Sequence, residues 1–127
     1  MTVVLDASAL LALLLDESGA DLVAAVHGQS LMCAVNVAEV AERLARNATD
    51  AAVKLSLAAT LPSVIAVDTD LALVAGLMRA STRSVGLSLG DRFCLALGKR
   101  LSCPVLTADR AWAEIAAAVG VEVRLIR

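Results

Sequence analysis

The chain is predicted to fold as one α/β domain built on a largely parallel central sheet of about five strands flanked by helices. Three observations carry that prediction. Short apolar runs of strand length alternate with stretches of helical periodicity through the whole sequence, the pattern of strand–helix–strand units. Acids recur where an apolar run gives way to a helix-like stretch, in VVLDASALLALLL, MCAVNVAEVAERLA, LSLGDRFCLALGKRL and CPVLTADRAWAEI. The length of 127 residues suits one ordinary domain, able to bury about two-thirds of its unfolded surface, and leaves no room for a second.

In chain order, Val3 to Leu5 reads as a short buried strand. Ala9 to Leu15 forms the following helix, and a second helix runs from about Ala20 to His27. Ser30 to Ala34 is the next strand. Asn36 opens a helix through Arg46, with Val37, Val40, Ala41, Leu44 and Ala45 on one buried face at i, i+3, i+4, i+7, i+8 spacing and Glu42, Arg43 and Arg46 off it. A helix from Asp50 to Leu61 stops at Pro62, which cannot continue it. Val64 to Val67 is the third strand and Asp70 to Arg79 another helix, followed by a polar connection from Ser81 to Gly86. Asp91 starts a mostly buried helix with Phe93, Leu97 and Leu101 in register and Cys94 beside them. Pro104 to Leu106 is the fourth strand, Arg110 to Ala118 a helix stopped by Gly120, and Val121 to Leu125 the last strand.

Composition narrows the classes of function. The apolar fraction of 59% exceeds the roughly 45–50% of average soluble domains and hints at self-association. The apolar runs are interrupted well short of the roughly 20 residues a spanning helix needs, and with Asp6 inside the first ten residues no secretory signal is expected. A soluble, cytoplasmic protein with no membrane partner is expected. Cys33, Cys94 and Cys103 lack CxxC spacing, so they are read as reduced thiols rather than a disulfide framework or zinc site. His27 is alone at a helix end, where a favourable dipole contact explains it better than chemistry.

The net charge of −2 conceals an asymmetry. Residues 1 to 78 hold nine acids and three bases, whereas Arg79, Arg83, Arg92, Lys99, Arg100 and Arg110 face only Asp91 and Asp109 in residues 79 to 110. A basic segment around two site acids suits a phosphate-bearing substrate; a solvated helix face is the plainer reading of each base.

If the strands are parallel neighbours, Asp6, Glu39, Asp91 and Asp109 converge in the crevice beyond the carboxyl ends of the strands. Clustered carboxylates repel one another unless a divalent cation neutralises them, so the set reads as a magnesium or manganese site. Each acid also has a structural explanation. Ser88 with Asp91 and Asn36 with Glu39 have capping-box spacing, and Asp6 and Asp109 fit as helix N-caps. Asp68 and Asp70 sit at a similar junction, and spacing alone does not exclude them.

As an ordered set, VVLDASALLALL, AVNVAEV, GLSLGDRFCLAL and PVLTADRAW closely resemble the PIN-domain ribonucleases, particularly the VapC-type toxins of toxin–antitoxin pairs, along essentially the whole chain. The resemblance implies that Asp6, Glu39, Asp91 and Asp109 are catalytic metal-binding acids supported by Ser8 and Thr107. It implies a sheet order that brings the first, second and fourth strands together and leaves Asp68 toward the edge. It further implies magnesium-dependent RNA cleavage, with Mn²⁺ able to substitute, giving a 3′-hydroxyl and a 5′-phosphate. The implied partners are a structured RNA such as a tRNA or ribosomal RNA loop, a cognate antitoxin and a second copy in a homodimer. With one Trp, one Phe and no Tyr, little is available for stacking on bases, which favours recognition by shape and backbone. Two other readings are open. One is a non-catalytic α/β RNA-binding or regulatory module whose acids are caps. The other is a phosphohydrolase or phosphoacceptor with Asp6 as nucleophile, weakened by the lack of a second acid two residues on.

Overall fold

The computed structural model describes residues 1–127. Five strands, β1 (Val3–Leu5), β2 (Ser30–Cys33), β3 (Ser63–Ile65), β4 (Val105–Thr107) and β5 (Val123–Leu125), form one sheet in the order β3-β2-β1-β4-β5. Every pairing is parallel. The order reverses at β1, so the gap between the ends of β1 and β4 is the topological switch point where open α/β sheets place their ligands.

Strand alternation divides the core into two layers. Val3 and Leu5 of β1 and Leu106 of β4 point to one face, against Leu10, Val23, Val40, Val53 and Leu57. These come from α1 (Ala7–Leu14), α2 (Ala20–Val26), α3 (Ala34–Ala45) and α4 (Asp50–Thr60). Val4 and Val105 point to the other face, against Leu71, Ala75, Phe93, Leu97 and Val119. The elements there are α5 (Thr69–Leu77), α6 (Arg79–Thr82), α7 (Leu89–Leu101) and α8 (Ala116–Val119). No helix is long and apolar enough to cross a membrane.

Several expected boundaries shift for local reasons. The helix expected over Arg110 to Ala118 is a 3₁₀ turn, Arg110–Glu114, followed by the four-residue α8. Trp112 and Ile115 both enter the core, and their three-residue separation matches the tighter 3₁₀ repeat. The connection expected over Ser81 to Gly86 contains the end of α6 and a 3₁₀ turn, Arg83–Val85. Buried Thr82 donates to the Met78 carbonyl at 2.8 Å, and Gly86 ends the segment at φ +64°. Leu101, expected on a buried face, is 39% exposed at the last position of α7. α3 starts at Ala34 with Cys33 as its N-cap, so Asn36 is inside the helix and no Asn36–Glu39 capping box forms.

Candidate metal centre

Asp6 ends β1 and caps α1, and it is 4% exposed. Its Oδ1 accepts from the Ser8 hydroxyl at 2.7 Å and the Ala9 amide at 2.8 Å. Its Oδ2 accepts from the Thr107 hydroxyl at 2.6 Å and from Ser8 at 2.9 Å. Ser8 and Thr107 are themselves fixed across the β1–β4 gap. The Ser8 oxygen accepts from the Ala108 amide at 2.9 Å, and the Thr107 oxygen accepts from the Asp109 amide at 3.0 Å. This lattice leaves the carboxylate one orientation. Burial pushes its pKa up to about 6 against these hydrogen bonds, which lower it, and the charge of Asp91 adds to the rise.

Asp91 is the third residue of α7, in its first turn, because the helix starts at Leu89, two residues before the expected start. Its Oδ2 accepts from the Ser88 amide at 2.9 Å, and the Ser88 hydroxyl accepts from the Asp91 amide at 3.1 Å, completing a capping box. Burial raises its pKa, the two Ser88 bonds lower it, Asp109 raises it and Arg92 lowers it. Glu39 is in the second turn of α3, half-buried, with its pKa raised first by burial and then by Asp91 and Glu42, against a lowering hydrogen bond from Asn36. Asp109, exposed after β4, caps the next turn by accepting from the Ala111 amide at 3.0 Å. Asp91 thus feels or perturbs each of the other three acids, as expected for one cluster.

Two residues that position this cluster carry no recognisable sequence signal. Asn36, 1% exposed, donates through Nδ2 both to Glu39 Oε1 at 2.7 Å and to the Gly90 carbonyl at 3.0 Å, tying α3 to the start of α7. Its Oδ1 is buried without a partner. Gly90 leaves the space that the Glu39 carboxyl fills; a Cβ there would collide with that group. In the sequence Asn36 reads as a cap, which does not suggest this role, and nothing marks Gly90.

None of the four acids is in a salt bridge; the ion pairs are Arg100–Asp68, Arg124–Glu122 and Arg127–Glu17. Burial without cationic pairing is the electrostatic condition a divalent cation relieves. As they stand, no three His, Cys, Asp or Glu side chains form a group that could hold a metal ion. Asp68 lies beyond edge strand β3, and its carboxylate is gripped by Arg100 at 2.8 and 2.9 Å. The Arg100 bonds and the Leu71 amide hold its pKa down at about 2.

The basic segment is dispersed. Arg92 Nε donates to Thr82 Oγ1 at 3.0 Å, which docks α6 beside the start of α7 and brings exposed Arg79 and Arg83 to that end. Lys99 and Arg100 lie about 12–14 Å further along α7, at the opposite end from Asp91. Arg110 donates to the backbone carbonyl of Arg127 at 2.9 Å.

A family model described as PIN domain matches residues 3–118. Comparison with curated proteins returns no match. Among solved structures, a toxin–antitoxin complex from Klebsiella pneumoniae superposes with a TM-score of 0.75 at 18% identity, covering 99% of this chain and 98% of that one. DNA-bound VapBC from Salmonella typhimurium gives 0.73 at 15% identity, covering 100% and 99%. VapC20 from Mycobacterium tuberculosis, a sarcin–ricin loop cleaving toxin, gives 0.72 at 17% identity, covering 89% and 95%. At these identities the superpositions establish a shared fold.

Proposed function

Because the chain belongs to the PIN domain family, we propose that it is a divalent-metal-dependent endoribonuclease, the toxin of a toxin–antitoxin pair held inactive by a cognate antitoxin. The observation that carries this reading is Asp6, a buried carboxylate fixed at the switch point of the sheet, coupled to Asp91 and without a cationic partner. The donor set suits Mg²⁺ or Mn²⁺, hard cations that take carboxylate oxygens. Mg²⁺ keeps several waters and takes only one or two direct carboxylates. A set not drawn in around one point is therefore compatible with it.

A bound Mg²⁺ or Mn²⁺ would neutralise phosphate charge, lower the pKa of water and stabilise the leaving oxygen. Asp6, immobilised by Ser8, Ala9 and Thr107, serves as the fixed ligand. Asp91, Glu39 and Asp109 complete the negative set, with Asn36 orienting Glu39. Arg79, Arg83 and Arg92, beside the start of α7, would hold RNA phosphates. The similarity to a toxin that cleaves the sarcin–ricin loop favours a structured RNA, ribosomal or transfer, as substrate. Self-association would cover apolar surface such as Leu73 and Leu77 of α5, which are 57% and 79% exposed.

A non-catalytic RNA-binding module is the second reading, favoured by the capping bonds that Asp6, Asp91 and Asp109 make. Incubating RNA with wild-type and Asp6→Asn protein, in Mg²⁺, Mn²⁺ or EDTA, separates the two. The nuclease cleaves only as wild type with metal, whereas a module shows no difference among the samples.

A further inference from the structure

Arg43 in the last turn of α3 and Arg46 at its C-cap are the only bases along this helix. With Glu39, Glu42, Ala7 and Leu11 they line a cleft of about 270 Å³ between α1 and α3 that opens at the acid cluster through Glu39. Glu39, Arg43 and Arg46 follow i, i+4, i+7 spacing, which stacks them on one helix face at about 6 and 10 Å from Glu39 along the axis. Two acids share the cleft, yet neither arginine is in an ion pair or donates a hydrogen bond within the chain. In the segment with the most bases, Arg79 and Arg83 are likewise unpaired, but they sit beside the start of α7 rather than in this cleft, and the other bases are committed or remote. There Arg100 is spent on Asp68, Arg110 on the Arg127 carbonyl, and Lys99 is at the far end of α7.

We propose that the cleft between α1 and α3 is a phosphate-binding track for single-stranded RNA, with Arg43 and Arg46 holding successive backbone phosphates as the strand leaves the acid cluster past Glu39. The span of about 10 Å corresponds to roughly three nucleotides at the 3.4 Å rise of a stacked strand. Guanidinium groups suit this work because their donor forks match phosphate oxygens. The small Ala7 and the aliphatic Leu11 form the opposite wall and offer no base-edge hydrogen bonds, so the track reads backbone rather than sequence. The proposal rests on an RNA substrate for the acid cluster and assigns the path by which a single-stranded segment of that RNA leaves it.

The test uses Asp6→Asn protein, which keeps RNA intact during measurement, and a fluorescent oligouridylate titrated between about 50 and 200 mM salt. Replacing Arg43 and Arg46 together by Gln should lower the slope of log affinity against log salt by about 1.4, from about 0.7 for each lost single-strand phosphate contact. Replacing Lys99 and Arg100 together by Gln should leave the slope unchanged. In the cleaving protein, Arg43→Gln should raise KM several-fold with little change in kcat, as expected for uniform substrate binding. Equal slopes for the two double variants would overturn the track, as would absence of salt-dependent binding by the Asp6→Asn protein; a cleft that takes a protein segment instead gives equal slopes. Salt-dependent binding through Arg43 and Arg46 without metal-dependent cleavage by wild type would leave the track standing and sink the nuclease.

Discussion

At the residue scale, the acid cluster carries an electrostatic cost that folding alone does not relieve. Asp6 has a folded pKa of about 6 against an ordinary 3.8, so the folded chain binds the proton more tightly than the unfolded chain. The stability linked to that proton is fully present below about 3.8 and lost as pH rises through about 6, by up to about 3 kcal/mol. In EDTA, thermal melts should show the wild type losing stability across this window and Asp6→Asn losing less; parallel curves for the two proteins would contradict the assignment. Gly90→Ala is expected to separate function from stability. The Ala methyl displaces the flexible Glu39 carboxyl while Ala gains helix propensity by up to about 1 kcal/mol over Gly. Its melting temperature should stay near wild type while metal-dependent cleavage falls at least tenfold, as measured by initial rates. Thr107→Val removes a donor to Asp6 and the acceptor for the Asp109 amide, and should cost about 1–3 kcal/mol in denaturant unfolding.

At the element scale, the strands and most helices were legible because their apolar periods are regular, and Val3 to Leu5 matches β1 residue for residue. What periodicity missed lies where side chains compete with the backbone. The Thr82 bond to Met78 draws a polar connection into a helix, and the burial of Trp112 and Ile115 tightens an expected α-helix to 3₁₀. Asp6 could be read from the strand end that carries it, whereas Ser8 and Thr107 came only from the family resemblance. The roles of Asn36 and Gly90 could not be read, because their work is a contact between α3 and α7, elements separated by much of the chain. Between elements, Gly19 sits at φ +97°, where a Cβ would collide with the Ile126 carbonyl and side chain. Gly19→Ala should therefore destabilise by more than about 1 kcal/mol on chemical unfolding. The Arg100–Asp68 pair links α7 to α5 at the surface, and Arg100→Ala should leave both melting temperature and cleavage nearly unchanged, since solvent screens exposed pairs.

At the scale of the whole molecule, the strand order does what no local pattern could specify. Placing β1 between β2 and β4 brings Asp6 beside Thr107, sets Glu39 and Asp91 within electrostatic reach, and leaves Asp68 at the edge with Arg100 as partner. Resemblance supplied that order, whereas composition supplied only the class. A cation that neutralises the cluster binds the folded chain alone, so saturation at about a hundred times its Kd should add about 2.7 kcal/mol to stability. The most direct measurement is cleavage of total cellular RNA by antitoxin-free wild type and Asp6→Asn protein in Mg²⁺, Mn²⁺ and EDTA. The account predicts discrete fragments with 5′-phosphate ends that require both the metal and Asp6; equal cleavage by the two proteins, or cleavage undiminished in EDTA, would contradict it.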